Sequence, residues 1–196
     1  MNTARLLLVP VAAAAVFLLC ISGTAATAAA STFIQASCRA TTYPDVCVAS
    51  LAQYGPTIKQ SPQQLAQTAL TVCLNRANST KAFVNNLCKS SGKTSAYGPL
   101  KDCLDQISDS MDRISKSVQE LKNMGRVQSP DFMFHVGNAQ TWVSAALTDQ
   151  NTCMDGFAGR ALNGSIKASI KAQVTNLAQV TSNALALINK FVSKYN

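Results

Sequence analysis

Residues 100–121 have the sequence LKDCLDQISDSMDRISKSVQEL, in which apolar side chains recur at alternating spacings of four and three. This period follows the turn of an α-helix, so it predicts an amphipathic helix whose apolar stripe packs against other helices. Gly125 is placed to end this helix. The predicted stripe consists of Leu100, Leu104, Ile107, Met111, Ile114, Val118 and Leu121.

Three further helices are predicted around this one. Ser-Pro pairs at residues 61–62 and 129–130 each join a capping side chain to a proline suited to the first helical turn. A last helix is expected from about Ser165. In the helix that starts at residue 61, the polar stretch 75–81 could fray or kink. Four amphipathic helices joined by short loops predict an all-α fold, an up-and-down four-helix bundle over residues 61–193.

The predicted core faces of these three helices are apolar at helical spacing. In chain order they are Leu65, Ala69, Val72, Phe83 and Leu87; then Phe132, Val136, Ala139, Val143 and Ala146; then Ile166, Ile170, Val174, Leu177, Ala184, Ile188 and Phe191.

Residues 1–30 have the pattern of a secretory signal peptide. Arg5 precedes an apolar run at residues 6–20, and the Ala-Ala-Ala of residues 28–30 fits a cleavage site. A membrane anchor is the alternative, but the apolar run is short for a span. We therefore expect an exported protein of residues 31–196 that forms one domain, without a membrane segment after cleavage.

The charge of the chain is basic, with a formal net charge of +8 that becomes +7 when Arg5 is removed. A basic surface favours acidic partners, such as an acidic polysaccharide or an acidic protein surface. Nucleic acid is not expected because Lys and Arg never cluster. Asn78 and Asn163 begin Asn-x-Ser/Thr triplets, which predict glycosylation in an exported protein.

Six cysteines remain after cleavage, and an even number in an oxidising compartment predicts disulfides. No Cys-x-x-Cys occurs and there is one His, so neither zinc nor another metal site is predicted. Cys38 and Cys47 enclose a Tyr-Pro turn and can close a small hairpin. Helix geometry permits Cys103 to pair with Cys153 or with Cys88.

Cys73 and Cys88 would lie about 22 Å apart on one continuous helix, too far for a disulfide. They can pair only if the helix breaks near Asn78, so two buried free thiols are the expectation.

The sequence contains no catalytic constellation. None of the common nucleophile, metalloprotease or phosphate-loop motifs is present. The single histidine, His135, follows an apolar stretch and is interpreted as a structural residue at a helix surface. Trp142 is interpreted as a core residue, with a partner contact as the alternative. No catalytic residue and no cofactor are therefore predicted, and the chain is not expected to be an enzyme.

Three segments together carry a family resemblance. CRATTYPDVC at residues 38–47, LKDC at 100–103 and WVSAALTDQNTCMDGF at 142–157 resemble motifs of the plant invertase and pectin methylesterase inhibitor family. The resemblance implies a four-helix bundle preceded by a protruding, disulfide-closed helical hairpin at residues 31–57. It also implies the disulfides Cys38–Cys47 and Cys103–Cys153, and leaves Cys73 and Cys88 outside the family's four-cysteine core.

The family contains two inhibitory activities, so the fold alone does not choose between them. Invertase inhibitors carry a Pro-Lys-Phe motif, whereas residues 130–132 here are Pro-Asp-Phe. The run at residues 144–148 and Thr152-Cys153 are similar to the methylesterase inhibitors. The resemblance thus favours a secreted inhibitor of pectin methylesterase that occludes the pectin-binding cleft. The alternatives are an inhibitor of acid invertase and a pectin-binding wall protein without an enzyme target.

The resemblance also implies where the partner binds. A Thr just before the fourth cysteine of the family contacts the enzyme, and Thr152 matches it. Thr148, Asp149 and Asn151 are its predicted neighbours in the contact. We expect a monomer in the apoplast that forms a 1:1 complex with the esterase, with weak electrostatic binding to pectin.

Overall fold

The computed structural model describes residues 28–92, 94–158 and 164–195. Residues 28–38 are helical and form α1. The other helices are α2 (Pro44–Leu51), α3 (Gly55–Ile58), α4 (Pro62–Ser91), α5 (Tyr97–Asn123), α6 (Pro130–Asp155) and α7 (Gly164–Val192), and a 3-10 turn at Ala52–Tyr54 joins α2 to α3. Within these residues there is no strand, so the all-α prediction is confirmed. Most of the predicted signal peptide, residues 1–27, lies outside the described residues.

The two Ser-Pro pairs start helices, as predicted. The Ser61 hydroxyl accepts a hydrogen bond from the Gln64 backbone N–H at 3.2 Å, and the Ser129 hydroxyl accepts one from Phe132 at 3.1 Å. Each bond satisfies a backbone donor that the first helical turn leaves free. Gly125 has a φ of 67°, which a residue without a Cβ adopts readily, and it follows the end of α5.

The four long helices form a ring in which α5 packs between α4 and α6, and α7 closes the ring against α4 and α6. The predicted core faces of α6 and α7 are buried, except that Ile166 is half-buried. On α5 the four residues Leu100, Ile107, Ile114 and Leu121 are buried, whereas Leu104, Met111 and Val118 are half-buried. The inner face of α5 is completed by the small residues Cys103, Ser110 and Ser117.

Helix α4 is continuous through residues 75–81, so the helix does not fray or break there. Asn78 and Ser79 donate hydrogen bonds to the carbonyl oxygens of Leu74 and Asn75, which keeps these polar side chains on the exposed face of the helix. Alanine and valine at positions 77 and 84 continue the buried face. The continuous α4 holds Cys73 and Cys88 apart, and both are free and buried, as expected.

The N-terminal hairpin lies against the bundle instead of protruding from it. The Cys38–Cys47 disulfide ties α1 to α2. Ile34, Leu51 and Ile58 are buried in the same cluster as residues of α4 and α7. The backbone of Tyr43 also exchanges two hydrogen bonds, of 3.0 and 2.8 Å, with the amide of Asn183 on α7. The protruding arrangement was wrong because these apolar side chains bury more surface on the bundle than they would in solvent.

A polar layer crosses the middle of the bundle, and each long helix contributes one residue to it. The Gln150 amide of α6 donates to the hydroxyl oxygens of Ser110 on α5 and Thr181 on α7, at 2.8 and 3.1 Å. The Cys73 thiol of α4 lies 3.0 Å from the same Thr181 oxygen. All four side chains are fully buried. Because buried polar groups need partners, this layer favours one rotation of each helix over the others.

Candidate partner-binding surface

Thr148, Asn151 and Thr152 are exposed on the outer face of α6. The helix continues to Asp155, so Thr148 and Thr152 lie one turn apart on the same face. Each threonine hydroxyl donates to a carbonyl oxygen one turn earlier, from Thr148 to Ser144 at 3.3 Å and from Thr152 to Thr148 at 2.9 Å. Their hydroxyl oxygens remain able to accept hydrogen bonds.

Asp149 does not join these three residues at the surface. It is 8% exposed, and its Oδ2 accepts a hydrogen bond from Arg113 Nε of α5 at 2.7 Å. Burial raises the pKa of the Asp149 carboxyl, and the pairing with Arg113 opposes this only in part, while the nearby Asp109 raises it further. Asp149 is therefore placed to hold α6 against α5 and not to contact a partner directly.

The raised pKa of Asp149 predicts a pH-dependent contribution to stability. A carboxyl with a raised pKa in the folded state contributes most when it is protonated, and this contribution is lost as the pH rises through the folded-state pKa. Asp149→Asn cannot ionise, so its free energy of unfolding should improve relative to wild type between about pH 3 and about pH 6. Urea titrations at both pH values measure the difference. A relative loss of stability for the Asn variant on going to the higher pH would contradict the prediction.

The end of α6 that carries Thr152 is fixed at several points. The Cys103–Cys153 disulfide joins it to the start of α5, with a Cα–Cα distance of 4.3 Å. The Gly156 backbone N–H donates to the Thr152 carbonyl oxygen at 3.2 Å, and Phe157 is buried just beyond it. The Cys103–Cys153 disulfide is the pairing that the family resemblance implies. A surface held in this way has little conformational freedom left to lose on binding.

Cross-helix pairs follow the seam between α5 and α6 beside this surface. Lys116 Nζ lies 4.6 Å from the centroid of the Trp142 ring, in a cation–π contact. His135 Nδ1 and Glu120 Oε2 are 2.5 Å apart. The structural role expected for His135 agrees with this pair. The interpretation of Trp142 as a core residue is wrong, because its ring is half-buried along the seam. The sequence could have predicted these pairs. A Cys103–Cys153 disulfide between two antiparallel helices fixes which residues of α5 and α6 face each other.

The opposite end of α6 presents a different surface. Phe132 is fully buried, and its ring packs edge-to-face on Phe191 and Tyr195 at centroid distances of 5.8 and 6.0 Å. Of the Pro-Asp-Phe triplet, only Pro130 and Asp131 are exposed. Phe132 is thus a core residue and is not available to a partner.

The remaining predicted sites are placed as follows. Asn78 is exposed on α4, whereas Asn163 lies outside the described residues. Among residues 28–92, 94–158 and 164–195, no group of His, Cys, Asp and Glu could hold a metal ion. None of the helices in these ranges is both long and apolar enough to cross a membrane.

Comparison with known proteins gives consistent matches. The family model described as plant invertase/pectin methylesterase inhibitor matches residues 32–187. Pectinesterase inhibitor 11 of Arabidopsis thaliana is 53% identical over 165 residues, which cover 83% of this chain and 82% of the relative. A 21 kDa protein of Daucus carota is 50% identical over 179 residues, with 91% and 93% covered.

A crystal structure of a pectin methylesterase inhibitor from Arabidopsis thaliana is similar in fold. It superposes with a TM-score of 0.56 at 18% sequence identity and covers 81% of this chain and 95% of that chain.

Proposed function

This chain belongs to the plant invertase/pectin methylesterase inhibitor family, and we propose on that basis that it inhibits pectin methylesterase. The observation that carries the proposal is the similarity to relatives named pectinesterase inhibitors, at 53% and 48% identity over more than four-fifths of the chain. The chain acts as a binding protein and not as an enzyme. Its work is to present a rigid helical surface to its target.

The proposed mechanism is occlusion of the pectin-binding cleft. The exposed face of α6 with Thr148, Asn151 and Thr152 is laid against the esterase, so that the polymer cannot enter. Support comes from the disulfide and the ion pair of Asp149 with Arg113, which hold this face before binding. A stable inhibitor interface of this kind buries about 1,600 Å² in total. The basic charge of the chain suits a cleft adapted to an anionic polymer.

The setting of this inhibition is also part of the proposal. A signal peptide at residues 1–30 would export the chain to the apoplast, where both pectin and its methylesterase are found. The protein would act there as a monomer in a 1:1 complex, and the exposed Asn78 would be a glycosylation site. No cofactor takes part in this mechanism.

Inhibition of acid invertase is the disfavoured alternative. Position 131 carries an acid where the invertase inhibitors carry a lysine, and Phe132 is committed to the core. The relatives at about half identity are named for pectinesterase. The remaining alternative, a pectin-binding wall protein, has no support from a relative's name.

The decisive experiment is a pair of titrations with the purified, secreted chain. We expect stoichiometric loss of activity in a plant pectin methylesterase assay and no comparable loss in an acid invertase assay. Gel filtration of the mixture should show a 1:1 complex. Inhibition of invertase alone, or of neither enzyme, would overturn the proposal.

A further inference from the structure

A polar groove lies between the hairpin and the bundle, on the side formed by α2, α4 and α7. Its volume is about 430 Å³, within the range of small-molecule sites. The lining includes five uncharged polar side chains and a single cation, Arg76 of α4. The polar residues that line it are Ser50, Gln53, Asn75, Ser79 and Asn176.

The groove combines polar groups with an apolar wall. Val46 and Val72 are half-buried along it, and Tyr54 also belongs to the lining. Sugar rings present hydroxyl groups at their edges and C–H bonds on their faces, so they need both kinds of surface. A groove lined by amides, hydroxyls, an aromatic ring and two valines has the composition that a saccharide requires.

The charge of the groove selects among saccharides. No Asp or Glu lines it, and Arg76 has no ion-pair partner in the described part of the chain. An exposed guanidinium without a protein carboxylate is free to bind a carboxylate of a ligand through two parallel hydrogen bonds. The groove is therefore suited to a sugar that bears a carboxylate.

Asn176 of α7 adds a half-buried amide to the lining. Its Oδ1 is buried and has no hydrogen-bond partner among the described residues, although the side chain belongs to the groove lining. Buried polar atoms in folded proteins nearly always have a partner. Because this oxygen is closed off from solvent, only the exposed part of Asn176 is available to a ligand in the groove.

We propose that this groove binds a short stretch of unesterified galacturonate, the anionic polysaccharide that pectin methylesterase produces. The identity of the ligand rests on the function proposed above, while the preference for a carboxylate-bearing saccharide rests on the groove itself. Arg76 binds a carboxylate, the amides and hydroxyls bind ring hydroxyls, and Tyr54 with the valines packs on a ring face.

The position of the groove allows it to act together with esterase binding. It lies on the α4–α7 side, whereas Thr148 and Thr152 lie on α6, diagonally across the ring from α4. The inhibitor could thus hold the demethylated product through one side and the enzyme through the other. Such an arrangement would concentrate the inhibitor where the esterase has already acted.

Calorimetric titration with a galacturonic acid trimer tests the proposal. The unesterified trimer should bind, and its fully methyl-esterified form should bind at least tenfold more weakly because it offers no carboxylate to Arg76. Arg76→Gln should weaken binding of the unesterified trimer at least tenfold. Ala49→Trp, which fills the groove from α2 without changing any charge, should have a similar effect.

Arg126→Gln is the matched control, because it removes the same charge from an exposed position in the α5–α6 loop. It should change trimer binding less than twofold. Equal weakening by the two arginine variants would overturn the proposal in favour of non-specific attraction, and so would equal binding of the acid and ester trimers. Circular dichroism spectra like that of wild type would establish that the variants are folded.

Esterase inhibition, measured on the same samples, separates this proposal from the function proposed above. Arg76→Gln and Arg126→Gln should both inhibit as wild type does. If the wild-type chain bound the trimer through Arg76 but inhibited no esterase, the proposed galacturonate site would be supported and the proposed function would be wrong. If the wild-type chain inhibited the esterase fully but did not bind the trimer, the proposed galacturonate site would be wrong and the proposed function would remain.

Discussion

Removing the Cys103–Cys153 disulfide should lower the free energy of unfolding by about 4 kcal/mol. The bond joins residues 50 apart in sequence, across the open ends of the α5–α6 pair. Closing so long a loop restricts the unfolded chain strongly, and the loss would remove a large part of the 5–15 kcal/mol (roughly) that stabilises a typical domain. The variant Cys103→Ala/Cys153→Ala, compared with wild type by urea denaturation, measures this change.

The second disulfide provides the control for that measurement. Cys38 and Cys47 are nine residues apart, so Cys38→Ala/Cys47→Ala should cost about 2.7 kcal/mol in the same chain-entropy model. The order of the two effects matters as much as their size. A larger loss from the short loop than from the long one would show that loop closure does not account for the stabilisation.

Thr152→Trp should weaken inhibition of pectin methylesterase at least tenfold, or about 1.4 kcal/mol in binding free energy. The side chain is exposed on the outer face of α6, and the disulfide beside it leaves the backbone little room to move away. An indole at this position would therefore hold the two proteins apart. Inhibition constants for variant and wild type give the result.

Thr71→Trp is the matched control for this variant. Thr71 is also exposed, and its hydroxyl also donates to the carbonyl oxygen one turn earlier, at 3.0 Å, but it lies on α4. The Thr71→Trp variant should inhibit pectin methylesterase as strongly as wild type does. Both variants should keep the helical circular dichroism and thermal midpoint of wild type. Full inhibition by Thr152→Trp, or loss of its fold, would remove Thr152 from the proposed contact.

Local signals in the sequence were sufficient to predict the four long helices, whereas the helical hairpin was expected only from the family resemblance. The start of α6 depends on a serine and the proline next to it, and both groups act within one turn of the helix. The apolar period of α5 likewise predicted Leu100, Ile107 and Ile114 as core residues. These features are predictable because the interacting groups are neighbours in sequence.

Features that depend on distant residues were not predictable in the same way. Asp149 is adjacent to Thr148, yet its environment is determined by Arg113, which lies 36 residues away on another helix. Trp142 was interpreted as a core residue because aromatic rings are usually buried in the core. In the structure its ring instead contacts the Lys116 ammonium group between α5 and α6. The packing of the hairpin on the bundle has the same origin, since Tyr43 and Asn183 are 140 residues apart.

The polar layer in the middle of the bundle has a consequence for oxidative folding. Burial raises the pKa of the Cys73 thiol to about 12, so at pH 7 this group is almost entirely the thiol and not the thiolate that attacks disulfides. Burial also raises the pKa of the Cys88 thiol. Once the four helices have assembled, the two spare cysteines are therefore slow to exchange with the native bridges. The two disulfides thus persist beside Cys73 and Cys88, because these competing thiols stay buried and protonated.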